Sequence, residues 1–136
     1  RKPPSRKKKR NKLKRANMIS TKRETHTLDA SGIALGKLAA NVAVILRGKN
    51  KPGFVKNVDA GDFVVVKNFA GVKITGRKFE ERKYYRYSGH IGGLNETPLP
   101  KLMKENPAEV LRRAVYRMLP DNKLRDKMIK RLTVKQ

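Results

Sequence analysis

Few residues of this 136-residue chain have types and spacings that could do covalent chemistry. Gly32 and Gly36-Lys37 superficially suggest a phosphate loop, whose backbone N–H groups cradle phosphates while a lysine reaches the terminal one. The spacing is one residue short, and Leu38 stands where a Ser or Thr should hold Mg²⁺. A turn into a helix accounts for the same residues, and Lys37 at that helix N-terminus could still accept an RNA phosphate. His26 and His90 have no metal-ligand spacing and no Ser, Asp or Glu pattern of a triad. His26 reads as a strand surface residue. His90 lies in a Gly loop beside Arg86 and Tyr87, where an RNA contact and a structural hydrogen bond are both open. Glu80-Glu81, set in a run of Arg and Lys, reads as a solvated, ion-paired patch, and Asp59 and Asp62 flank Gly61 as turn residues. There is no Cys, so no disulfide, thiol nucleophile or cysteine-ligated zinc site. No catalytic residue, metal or cofactor is expected.

Contacts to RNA are a different matter. From Gly76 to His90 the chain interleaves base with aromatic: Arg77, Lys78, Lys83, Tyr85, Arg86, then Gly89 and His90. Cations neutralise phosphates, tyrosine faces stack on unpaired bases, and glycines let a backbone come close. If residues 82–87 are extended, Arg82, Tyr84 and Arg86 share one face and Lys83, Tyr85 and Tyr87 the other. One set could face a core and the other RNA; the plainer reading makes the tyrosines core and the glycines a loop. Near the C-terminus, Lys123, Lys127, Lys130 and Arg131 would share about a third of a helix circumference, opposite Leu124, Met128 and Leu132. No acid balances that face, though a solvated helix shows the same pattern. Arg47, Lys49 and Lys51 cluster at the end of another helix, where they also complement its dipole.

The elements that must position these groups follow from periodicity. Thr25 to Asp29 reads as a short strand running into a turn at Ala30-Ser31-Gly32. Leu35, Leu38, Ala39, Val42, Ile45 and Leu46 recur at helical spacing, and Gly48 follows as a stop. Asp62 to Val66 is a β-branched run suited to a buried strand. Val72 to Thr75 and Arg82 to Tyr87 are further strand candidates, the last closed by the Gly-rich stretch 89–93. Asn106-Pro107 with Glu109 looks like a capped helix start. Val110, Leu111, Ala114, Val115 and Met118 form its apolar face, and Pro120 ends it. A last helix starts near Asp121, with Leu124, Met128, Ile129 and Leu132 apolar. Strand–helix–strand followed by helices predicts an α/β domain.

Charge sets the class of partner. Lys and Arg number 35 against 11 Asp and Glu, a net charge of +24 that opposes compaction until a polyanion neutralises it. Nucleic acid fits best, because no apolar stretch approaches the roughly 20 residues of a membrane span. Residues 1–17 hold 10 of the cations and no acid. Residues 1–21 are therefore expected as a basic extension, disordered alone, ahead of a single α/β domain over 22–136. Arg6, Lys7, Lys8, Lys9 and Arg10 are its candidate RNA contacts. A solvated tail, a tail threading between RNA helices and a targeting segment are all compatible with its composition.

Six blocks occur in order: Gly32-Ile33-Ala34-Leu35-Gly36-Lys37-Leu38-Ala39, Leu46-Arg47-Gly48-Lys49-Asn50-Lys51-Pro52, Asp59-Ala60-Gly61-Asp62, Thr75-Gly76-Arg77-Lys78, Tyr84-Tyr85-Arg86-Tyr87-Ser88-Gly89-His90-Ile91-Gly92-Gly93 and Met118-Leu119-Pro120-Asp121-Asn122-Lys123-Leu124. Over about residues 22 to 134 the chain resembles the large-subunit ribosomal protein family L thirteen, in its bacterial or organellar form. The resemblance implies an α/β domain with a small, mostly parallel sheet flanked by helices, and a helical C-terminal part. It implies direct binding to large-subunit rRNA early in assembly, with neighbouring large-subunit ribosomal proteins as further partners. No catalysis, membrane association or homo-oligomer is implied, and the place is the bacterial cytoplasmic ribosome or an organellar one. The family's RNA-facing positions fall on Lys37, Arg47, Lys49, Lys51, Arg77, Lys78, Tyr85, Arg86, Gly89, His90, Gly92, Gly93, Asn122 and Lys123. The chain departs from the family pattern at Tyr87 and His90-Ile91, where a His and then Tyr-Pro are usual. It departs again at Tyr116-Arg117, where Arg-Gly is usual. Two other classes remain as rivals: a free RNA-binding regulator, and an RNA-modifying enzyme, which would need a nucleotide loop or acid/base pair.

Overall fold

The computed structural model describes residues 23–135. The expected extension over 1–21, with its candidate contacts Arg6 to Arg10, lies outside them.

The run Phe63–Lys67 forms β2, the central strand of a three-stranded parallel sheet. On one side it pairs with β1 (Thr25–Asp29), with His26 opposite Val64 and Leu28 opposite Val66. On the other it pairs with β5 (Leu132–Val134), with Leu132 opposite Val64 and Val134 opposite Val66. A strand paired on both edges has every backbone group satisfied, so its β-branched side chains can be buried. Val64 and Val66 are fully buried, and each contributes about 1.5–3 kcal/mol.

Helix α1 (Leu35–Arg47) lays Leu38, Ala39, Val42 and Leu46 on the core. It stops as the glycine predicts. Gly48 adopts φ 75°, its N–H donates to Ile45 O, and the Lys49 N–H donates to Val44 O. Only glycine enters that left-handed region freely, and the two bonds satisfy the last carbonyls of the helix. Helix α4 (Pro107–Met118) packs against α1 through Leu111 and Val115, and α5 (Arg125–Ile129) adds Met128 and Ile129 to the same core.

A second unit sits beside the sheet. The one-turn helix α2 (Lys78–Glu81) leads into β3 (Lys83–Tyr87), which pairs antiparallel with β4 (Leu94–Pro98). Helix α3 (Leu99–Glu105) follows and turns at Asn106 into α4. Tyr84, Leu99 and Val110 form its small core.

Several expectations need correction. Val72 to Thr75 is not a strand: it makes a single bridge, Ala34 to Lys73, after a 3₁₀ turn over Phe69–Gly71. The last helix ends at Ile129, and Leu132 pairs with β2 instead, because the open edge of β2 offers a ladder that a further helical turn would forgo. The strand expected over 82–87 is present as Lys83–Tyr87, and it forms half of an antiparallel hairpin. Asn106 makes no side-chain cap, and Glu109 bonds Arg113 Nε at 2.9 Å rather than reaching back.

Candidate nucleic-acid interface

The hairpin supports the alternation expected of residues 82–87. Tyr84 points inward and is buried, gripped by the guanidinium groups of Arg82 and Arg113 at 5.5 and 5.1 Å from its ring. Tyr85 and Tyr87 are 61% and 63% exposed, and Arg86 is exposed as well. The glycines shape the loop between the strands. Gly89 and Gly92 hold φ 88° and 74°, and a Cβ on Gly93 would sit 2.0 Å from Ser88 Oγ. The loop is closed by Gly93 N–H on His90 O and by Ser88 N–H on Gly93 O. His90 thus serves the turn through its carbonyl while its side chain stays exposed. Lys83 is exposed but paired with Glu96 at 2.8 Å, which raises its pKa.

The other basic candidates divide into outward and inward groups. Lys37 on the first turn of α1, Arg77 and Lys78 at α2, and Lys49 after α1 are exposed. Arg47 is half-buried and lies over the Phe54 ring at 5.3 Å. Asn122 shapes the turn before α5, its Oδ1 accepting the Leu124 N–H at 3.0 Å, and Lys123, Lys127 and Lys130 are exposed around that short helix. They do not share one helical face, since α5 covers only 125–129.

Arg131 and Lys51 point the other way. Arg131, expected on the basic face, is 6% exposed. It forms two parallel bonds of 2.6 Å to Asp59, and Nη2 also donates to Leu46 O at 2.9 Å. The unfilled C-terminal carbonyl of α1 and a carboxylate thus draw this guanidinium inside. Gly61 makes the approach possible, because a Cβ there would lie 1.7 Å from Leu46 O. Lys51 bonds the carboxylate of Asp62, which is 1% exposed and also accepts the Glu24 N–H at 3.0 Å and meets His26 Nε2 at 3.2 Å. Burial pushes the Asp62 carboxyl up, but bonds from Lys51, Glu24 and His26 outweigh it and hold its pKa below the ordinary value. Asp59 and Asp62 are therefore ion-pair centres, not simple turn residues. His26, expected on the strand surface, is half-buried with its ring against the Asp62 carboxylate.

Leu38 is buried where a phosphate loop would need a Ser or Thr hydroxyl, and Glu80 and Glu81, expected as a solvated, ion-paired patch, are exposed but make no ion pair among the described residues. Among the described residues, no group of three or more His, Cys, Asp or Glu is arranged to hold a metal. No helix among these residues is long and apolar enough to cross a membrane.

The structure also brings forward residues that sequence reasoning passed over. Arg112, Arg113, Tyr116 and Arg117 lie on the polar side of α4, and Lys73, Arg82 and Arg117 join the expected Lys78 around a cavity of about 210 Å³ beside Gly36. The signal was present: off the apolar face of α4, cations outnumber the single Glu109.

Comparison with known proteins agrees with the resemblance. A family model described as Ribosomal protein L13 matches residues 23–135. The chain is 51% identical over 107 residues to large ribosomal subunit protein uL13 of Lawsonia intracellularis, covering 79% of this chain and 74% of that one. It is 47% identical over 112 residues to the uL13 proteins of Thermobifida fusca and of Aquifex aeolicus, covering 82% of this chain and 75% and 78% of theirs. The family match extends over the whole described fold, sheet, hairpin and helices alike, and the chain belongs to the ribosomal protein L13 family.

Proposed function

We propose that the chain is a structural constituent of the large ribosomal subunit that binds large-subunit rRNA directly, early in assembly, and catalyses nothing. Besides the family, one observation supports this: a set of exposed cations makes no ion pair within the described fold. Asp59, Asp62, Glu96, Glu105, Glu109 and Asp121 are engaged by Arg23, Arg131, Lys51, Lys83, Lys101, Arg113 and Arg125. Among the described residues, Lys37, Arg77, Lys78, Arg86, Lys123, Lys127 and Lys130 have no carboxylate within ion-pair distance. A polyphosphate backbone supplies the missing charge, and its binding releases counterions. The exposed Tyr85 and the glycine loop of the β3–β4 hairpin add stacking and close backbone approach. Neighbouring large-subunit proteins complete the surroundings.

The test is binding of the chain to large-subunit rRNA fragments, against random structured RNA, over a salt series. Preference for one fragment at physiological salt is expected. Equal binding to every RNA, lost steeply with salt, would reduce the chain to a polycation and return the regulator and enzyme readings.

A further inference from the structure

Between α4 and β3 runs a groove of about 330 Å³, lined by Tyr84, Tyr85, Arg112, Arg113, Tyr116 and Arg117 together with Glu109. That volume is at the small end of ligand pockets, which run roughly 300–1,000 Å³. Its walls combine aromatic rings with guanidinium groups. Tyr84 is fixed by burial and by Arg113 over its ring. Tyr116 is 38% exposed, with the Arg125 guanidinium 4.7 Å from its centroid. Tyr85 is mostly exposed. The one acid in the groove is already answered, because Glu109 Oε1 accepts from Arg113 Nε at 2.9 Å. Arg112 and Arg117 are exposed and have no acid partner among the described residues.

These features select a ligand. A duplex keeps its base faces stacked away from protein, whereas an unpaired nucleotide offers a flat base and a phosphate together. Aromatic faces and guanidinium planes stack on the base, and free cations meet the phosphates. An acidic peptide would use the cations but leave the exposed tyrosine faces without a matching flat surface. We infer that this groove takes a single unpaired nucleotide, its base against Tyr85 and Tyr116 and its phosphates on Arg112 and Arg117. The inference rests on the rRNA reading and adds to it a site and a kind of nucleotide.

The test uses the full chain and the rRNA fragment preferred in the salt series. Replacing Tyr85→Leu and Tyr116→Leu together removes stacking without changing charge. Affinity should fall about tenfold, the salt slope should stay as it was, and Tyr85→Phe with Tyr116→Phe should bind like the unaltered chain. Should the leucine pair lower the melting temperature, Arg112→Gln with Arg117→Gln replaces it, with weaker binding and a shallower salt slope expected. Unaltered affinity in a folded leucine or glutamine pair overturns the proposal and leaves the groove to a protein neighbour or to solvent. If the unaltered chain prefers no rRNA fragment, the rRNA reading fails first and takes this one with it.

Discussion

Arg131 and Lys130 are neighbours with the same charge, yet one is enclosed and the other stands in solvent. The difference comes from Asp59, 72 residues away, which offers a carboxylate beside the end of α1. Breaking such a pair strands its partner in a poorly solvated place. Arg131→Met should therefore destabilise the fold by about 3–5 kcal/mol, read by urea unfolding, while the salt slope of RNA binding stays constant. A stable variant with a flatter slope would put Arg131 on RNA after all. Asp62 sets a pH dependence. Its pKa is lower in the folded chain than in the unfolded one, so its stabilisation is complete above about pH 4 and fades as pH falls toward the folded value. The melting temperature should drop on acidification through that window, and Asp62→Asn should flatten the drop. An equal acid response in both proteins would remove Asp62 from the account.

At the level of elements, much was legible in the residues and some was not. Helix α1 announces itself, because its apolar positions keep one period for thirteen residues and a glycine ends it. Strand β2 does the same through a β-branched run. Strand β5 does not: Leu132 follows Met128 at helical spacing, and only the open edge of β2 decides otherwise. Strand β4, Leu-Asn-Glu-Thr-Pro, is largely exposed and has no alternation of its own; its partner β3 defines it. The same limit applies to the candidate interface. Alternation in β3 separated Tyr84 from Tyr85 and Tyr87, but no local pattern could take Arg131 and Lys51 inward. The lysines around α5 remain the clean case. Lys123→Glu, Lys127→Glu and Lys130→Glu together should weaken rRNA binding and flatten its salt dependence, with the melting temperature close to the original, since exposed substitutions usually stay within about 0.5 kcal/mol each. A large loss of stability would mean that these side chains support the fold.

Over the whole molecule, charge is divided between a domain that pairs six of its 11 acids with its own cations and a basic stretch ahead of it. Deleting residues 1–17 removes 10 cations. The remaining domain should keep its melting temperature and bind rRNA with a shallower salt dependence; an unchanged slope would mean that the extension touches no RNA. The pairing of β2 has a consequence in time. Its two partners are the first and last strands of the domain in chain order, with Phe63–Lys67 between them. A chain made from its N-terminus can form α1 and the β1–β2 ladder early. Until Leu132–Val134 have been synthesised, β2 has an unsatisfied edge and Asp59 lacks Arg131. Sheet completion must follow synthesis of nearly the whole domain, after the long loop closures that slow folding. During that interval the nascent chain presents a bare, valine-rich strand edge, the kind of surface that chaperones cover and aggregates recruit.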